Sequence, residues 1–274
     1  MKEKTKFLII RFSSIGDIVL TTPIVRTIKN QFPQSEIHFL TKESFSSVIK
    51  HNPNVSKVWE IKQSYSEIIS ELKDEHFDFV IDLHKNLRTR KLKAQLQVKS
   101  YTFDKLNIQK WILTQTKINI LPKKHIVDRY FDSVTELGVN NDGKGLDYFI
   151  SDVETQEAVS KTKEFHEKFI VIVLGAAHFT KTPPVNVWLK IIDKTSFPII
   201  LLGGKGEKIA ANTILQKTAK KNIISLCGET SIGASAAIIK LSQLIITPDT
   251  GLMHIASALQ KRIISIWGNT VPEF

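Results

Sequence analysis

"FLIIRFSSIGDIVLTTP", residues 7 to 23, sets four apolar residues before a short polar turn and a carboxylate. It reads as a strand, a tight turn and the opening of a helix, the basic βα step of a layered α/β protein. The turn is not one of the common phosphate cradles. A dinucleotide-binding turn needs Gly-x-Gly-x-x-Gly and a P-loop needs Gly-Lys-Ser or Gly-Lys-Thr, and neither is present. Gly16 alone permits the tight turn, while Ser13 and Ser14 offer hydroxyls and backbone amides. Two readings of Asp17 stand side by side. It caps the helix that follows, where the dipole favours a carboxylate, or it serves as a general base. The second reading carries a tension, because a helix N-terminus depresses a carboxylate's pKa. Desolvation on substrate closure would have to offset that.

The same βα step recurs along the chain. Strand candidates in the first half are 7–10, 36–40, 57–61, 77–82 and 98–103; in the second half they are 169–174, 198–203, 222–226, 243–247 and 262–267. Helix-length amphipathic segments fill the gaps, which implies parallel sheets covered by helices on both faces. Residues 139–168 begin with Asn, Asp and Gly, continue as charged, partly helical sequence, and read as a linker. The expected architecture is two Rossmann-like domains facing a cleft, residues 1–150 and 151–274.

The chain has 274 residues, 42% hydrophobic and 24% charged, as in an ordinary globular protein. No apolar run approaches the roughly 18 residues needed to span a bilayer, and the N-terminus lacks a signal-peptide pattern. A single cysteine, Cys227, excludes an intrachain disulfide and a multi-cysteine metal site. A cytosolic protein is expected. The net charge of +11 is unevenly placed: residues 85–129 hold twelve Lys or Arg against Asp104 and Asp128. Such a segment is either a solvated surface or one that attracts a polyanion: nucleic acid, lipid headgroups or a phosphorylated acceptor. Tyr101, Phe103 and Trp111 lie within it, a mixture suited to a membrane interface or to nucleic acid.

In open α/β sheets, ligands sit at the carboxyl ends of strands beside helix N-termini, and two more strand ends carry unusual chemistry. In "ITPDTGLMHIAS", 246–257, Pro248 stops a strand and Asp249, Thr250 and Gly251 open a helix. Backbone amides with little side-chain bulk make an anion site there, and His254 lies one turn further on. In "VLGAAHFTKTPPVNVW", 173–188, Thr180 and Lys181 sit on a proline-stiffened loop after a strand, placed to neutralise a diphosphate. "LLGGKGE", 201–207, adds Glu207 at another strand end, a ribose-hydroxyl acceptor or a helix cap. No His-Glu-x-x-His pair, no Gly-x-Ser-x-Gly elbow and no base beside Cys227 is apparent.

In order, "RFSSIGDIVLTTP", "DLHKNLRT" at 82–89, the Thr180-Lys181 loop, "LLGGKGE" and "PDTGLMHIASAL" at 248–259 resemble glycosyltransferase family 9, the ADP-heptose:lipopolysaccharide heptosyltransferases. The resemblance implies a GT-B fold and an inverting, metal-independent transfer with no cofactor beyond the nucleotide-sugar substrate, which is expected to be ADP-heptose. Its acceptor would be the anionic inner core of lipopolysaccharide, reached by peripheral contact with the cytoplasmic membrane face; no nucleic-acid partner is expected. Residue by residue, Asp17 matches the family's catalytic base. Thr180, Lys181, Glu207, Asp249, Thr250, Gly251 and His254 match donor-binding positions. Arg11, Ser13 and Ser14 fall on the acceptor side, with Lys85, Arg88 and Arg90 of the basic segment. The chain stops at "WGNTVPEF", where family members continue, so the second domain is expected to be incomplete at its C-terminus. Other readings are a relative using another nucleotide-sugar and an inactive nucleotide-sugar-binding module. A nicotinamide oxidoreductase is disfavoured by the missing glycine fingerprint.

Overall fold

Runs such as Ile170–Val173, apolar at every position, suit a strand that is covered on both faces, and all ten runs read from the sequence form parallel strands. The computed structural model describes residues 4–106, 124–165, 168–176 and 179–268, with positions 109, 111, 115, 116, 118, 121 and 122. Contacts divide the chain into two compact units, one ending at Gly145 and one beginning at Leu146. The first unit holds β1 (Lys6–Ile10), β2 (Glu36–Lys42), β3 (Lys57–Ile61), β4 (Phe79–Asp82) and β5 (Lys99–Thr102), in the order β3-β2-β1-β4-β5. The second holds β6 (Ile170–Val173), β7 (Ile199–Leu202), β8 (Ile223–Ser225), β9 (Leu244–Pro248) and β10 (Arg262–Ile266), in the order β10-β9-β6-β7-β8.

The helices among the described residues are, in the first unit, α1 (Ile15–Val19), α2 (Thr22–Gln31), α3 (Ile69–Asp74), α4 (Leu87–Leu96) and α5 (Ile126–Asp132). In the second they are α6 (Asp152–Thr162), α7 (Val185–Asp193), α8 (Lys208–Lys217), α9 (Ile232–Leu241) and α10 (Gly251–Ala258). Helix α2 has Pro23 in its first turn, buries Ile24, Val25 and Ile28, and stops at Phe32, where Pro33 cannot continue it.

The sheets are held by side chains that alternate between two buried faces. In the second unit Val171, Val173, Ile200, Leu202 and Ile245 pack on one face. Ile170, Ile172, Ile199, Leu201 and Ile246 pack on the other. Each such side chain taken from water contributes about 1.5–3 kcal/mol. In the first unit Leu8, Ile10, Leu40 and Val80 pack against Leu92 and Leu96, which lie on one stripe of α4.

Part of the stretch read as a linker is core. Helix α6 lies within 139–168, yet it packs on α9 through the buried Ala158 and Thr162. Its Glu154 accepts from the Ser151 amide at 2.9 Å, and a Cβ on Gly233 of α9 would fall on that carboxylate. Two small residues four apart, on a helix whose Val153 and Val159 face solvent, make a stripe too thin to show as amphipathic periodicity.

Candidate active site

Each sheet reverses its strand order beside its first strand, between β1 and β4 in one unit and between β6 and β9 in the other. The loops leaving the two flanking strands diverge there and open a crevice at the carboxyl ends. Most of the candidate residues lie on these four loops.

In the first unit, Arg11 follows β1 directly and its side chain is only 9% exposed. Its Nε donates to the Ser13 carbonyl at 2.9 Å, one terminal nitrogen donates to the Leu83 carbonyl, and the other lies 2.7 Å from Oδ1 of Asp17. The Asp17 Oδ2 accepts the Ser14 amide at 3.0 Å and the Ser14 hydroxyl at 2.9 Å. Asp17 therefore caps α1 with one oxygen and holds Arg11 with the other, its side chain 36% exposed. Burial pushes its pKa up, but the Arg11 charge and the hydrogen bonds from Ser14 and Arg11 outweigh this and leave it below the usual carboxylate range.

The β4 loop lies alongside, because Leu83 continues the ladder by donating to the Ile10 carbonyl at 3.1 Å. Asp82, 1% exposed, accepts the amides of His84 and Lys85 at 3.0 and 2.8 Å and pairs with Lys93 of α4 at 3.0 Å. His84 lies on Phe12, ring centroids 4.9 Å apart. Burial, then the charges of Arg11 and Lys105, push its pKa down to about 4, so the imidazole is neutral at pH 7. From α5 the fully buried Tyr130 enters the field of Arg11 and Asp17, its pKa pushed up to about 12, chiefly by burial.

The structure thus brings Arg11, Ser13, Ser14 and Asp17 together. Lys85 sits on the neighbouring loop and pairs with Asp104 at 3.0 Å. Arg88 and Arg90 lie on the solvent face of α4. Of the basic segment, Lys110, Lys117 and Lys123 fall outside the described residues. Asp82, His84 and Tyr130 were not singled out from the sequence. For Asp82 and His84 a signal existed, since both stand in "DLHKNLRT" at a strand end; for Tyr130 there was none.

In the second unit, Lys181 ends a short turn, Phe179–Lys181, and its Nζ lies 2.5 Å from Oδ2 of Asp249. His254 Nε2 is 3.9 Å from Oδ1 of the same carboxylate. Thr250 is the extended N-cap of α10 and Gly251 its first residue, and the Thr250 side chain makes no capping hydrogen bond. Its first-turn amides therefore lie beside a lysine and an imidazole, the arrangement that receives an anion. Thr180 is fixed in the same turn: a Cβ on Gly268, just past β10, would come within 2.6 Å of the Thr180 carbonyl oxygen. Glu207 stands at the next strand end. Its Oε2 accepts the Gly204 amide at 2.7 Å, and its carboxylate lies where a Cβ on Gly175 would be. Cys227 is buried and its thiol is pushed up to about 11, mainly by burial, which makes it a poor nucleophile at neutral pH.

Comparison with known proteins matches residues 66–274 to the model of glycosyltransferase family 9 (heptosyltransferase). A lipopolysaccharide heptosyltransferase 1 of Campylobacter coli is 26% identical over 97% of this chain and 84% of its own length. Among solved structures, a glycosyl transferase family 9 protein of Veillonella parvula superposes with a TM-score of 0.81 at 21% identity, covering 98% of this chain and 83% of that one. The E. coli heptosyltransferase WaaC with ADP gives 0.74 at 20% identity, over 98% and 89% of the two chains.

Proposed function

The chain belongs to glycosyltransferase family 9, a glycosyltransferase of GT-B fold, and from that premise we propose that it moves a heptose from ADP-heptose to the inner core of lipopolysaccharide with inversion at the anomeric carbon. The observation that carries the reading is the division of chemistry between the two strand-order reversals. One holds a carboxylate and no phosphate cradle; the other holds the start of α10, with Lys181 and His254 gathered at Asp249 beside it. The donor diphosphate binds the Thr250 and Gly251 amides and draws Lys181 from Asp249, while Glu207 and Thr180 line the nucleoside side. No metal ion or further cofactor enters this reading, since Lys181 and the α10 amides meet the diphosphate charge.

Asp17 takes the proton of the acceptor hydroxyl. As that oxygen bonds to the anomeric carbon, the carbon–oxygen bond to the diphosphate breaks and its electron pair leaves with ADP. Ser13, Ser14, Lys85, Arg88 and Arg90 receive the anionic acceptor. The reading places the enzyme peripherally at the cytoplasmic face of the inner membrane, and no helix of the described residues is long and apolar enough to cross one. Support comes from the family and from the relatives, one a lipopolysaccharide heptosyltransferase and one of similar fold solved with ADP.

Asp17→Asn keeps the size and, with its one oxygen turned to Ser14, the cap, but removes the base and the charge that faces Arg11. General-base catalysis contributes about 10²–10⁴-fold, so turnover of ADP-heptose, followed by mass spectrometry, should fall by about that much with ADP affinity unchanged. A variant with near-normal turnover would make Asp17 a helix cap alone. A panel of other nucleotide-sugars in the same assay tests the donor.

A further inference from the structure

A basic side chain at a strand end of an acceptor-binding unit is the natural ligand for an acceptor phosphate, and Arg11 has that position. Its surroundings argue otherwise. The guanidinium is almost wholly buried and grips three places at once: the Ser13 carbonyl on its own loop, the Leu83 carbonyl after β4, and Asp17 on α1. Turning outward would take the donor from the buried Leu83 carbonyl, from the half-buried Ser13 carbonyl and from Oδ1 of Asp17. The other groups nearby leave the charge balance to this pair. His84 from the β4 loop has a buried Nδ1 without a hydrogen bond, and the Tyr130 hydroxyl from α5 makes none of good geometry. Both are neutral at pH 7, with Lys105 acting on His84 and Arg129 on Tyr130.

We infer that Arg11 is a positioning residue, which orients Oδ1 of Asp17 and sets its readiness to ionise, and not a ligand of the acceptor; the inference rests on the reading of Asp17 as the base. A carboxylate oxygen offers two lone pairs. Oδ2 spends both on the Ser14 amide and hydroxyl, whereas Oδ1 spends one on Arg11. The proton of the attacking hydroxyl therefore goes to the remaining lone pair of Oδ1. That leaves a neutral carboxyl against a fixed guanidinium, which expels the proton to water and restores the carboxylate for the next turnover. Arg11 lowers the intrinsic basicity of Asp17 and in return keeps one oxygen ionised and aimed.

The test is carbon-13 NMR titration of the Asp17 carboxyl together with the pH profile of kcat/KM, in the wild type, Arg11→Met and Arg11→Lys. An opposite charge at this distance moves a carboxylate by about 1–3 pH units. In Arg11→Met the NMR midpoint and the acid limb of the profile should both rise by about that amount, with acceptor KM and ADP affinity within about threefold of wild type. Arg11→Lys, which keeps the charge without the fork and is the second variant should the methionine variant not fold, should lower kcat at least tenfold with an intermediate midpoint. Acceptor KM raised tenfold or more with an unmoved midpoint would make Arg11 an acceptor ligand and overturn the inference. So would a lysine variant of wild-type kcat and midpoint. The NMR titration reads the Arg11–Asp17 coupling without turnover, so failure of the base reading in Asp17→Asn is separable from failure of this one.

Discussion

Gly268 and Lys181 show how much of the proposed donor site rests on single atoms. The segment after β10 passes so close to the lysine turn that a methyl group on Gly268 would press on the Thr180 backbone at 2.6 Å, and backbone cannot swing away as a side-chain tip can. On the proposed reading Lys181→Ala removes a charge-assisted phosphate contact, a loss of about 1.5–3 kcal/mol, so ADP affinity measured by calorimetry should fall roughly ten- to a hundredfold. Gly268→Ala leaves Lys181 in the chain but displaces its turn, and should weaken ADP binding by a smaller factor. Gly206→Ala, with nothing within 4 Å of its Cβ, should leave affinity as it is. Equal affinities in Gly268→Ala and wild type would mean that the turn yields freely. That Lys181 stands on a turn after a strand was legible in "TKTPP", but the need for glycine at 268 was not, because it depends on which backbone lies opposite.

At the scale of elements, the β4–α4 connection is organised by one buried carboxylate. Asp82 ties the first amides of the loop to Lys93, on the second turn of α4, and Lys93 Nζ also reaches Thr102 of β5 at 2.5 Å. Breaking a buried pair by removing one partner typically costs about 3–5 kcal/mol, mostly from the charge left behind. Asp82→Ala should therefore lower stability to urea by about that much. The double variant Asp82→Ala, Lys93→Met should recover part of it, since the stranded charge is gone. A loss under about 1 kcal/mol in the single variant would show that the loop does not depend on the pair. This also revises the reading of the basic segment: Lys93 looks like a surface charge in sequence, and the fold spends it on Asp82.

For the molecule as a whole, the charge surplus then rests on residues that do face solvent. Arg88, Arg90 and Lys91 are exposed on α4, and Leu87 beside them is 75% exposed. If this face meets an anionic membrane, each basic residue contributes about 1 kcal/mol near the surface. Replacing the three by glutamine should reduce binding to anionic vesicles in cosedimentation by up to about a hundredfold. Binding of the wild type should rise with anionic lipid content and fall with salt. Equal binding to neutral and anionic vesicles would reduce the segment to a solvated face. The triple variant leaves Lys93 in place, so a loss of binding cannot be ascribed to a loosened loop.

The sequence by itself determined the ten strands, the α/β class and the chemistry at three strand ends. A parallel sheet covered on both faces makes its inner strands continuous apolar runs, as in Ile170–Val173 and Ile199–Leu202, visible without knowing their neighbours. The edge strands β3 and β5 mix polar with apolar residues. The tertiary structure decided what those strand ends touch. Because each sheet reverses beside its first strand, β1 lies against β4 and β6 against β9, and that brings Arg11 to Leu83 and Lys181 to Asp249, 72 and 68 residues apart. That Arg11 also grips the Leu83 carbonyl, and that α6 is a packed helix and not a linker, follow from such non-local contacts. A side chain's charge is a local property of the sequence; the partner that satisfies it is chosen by the strand order.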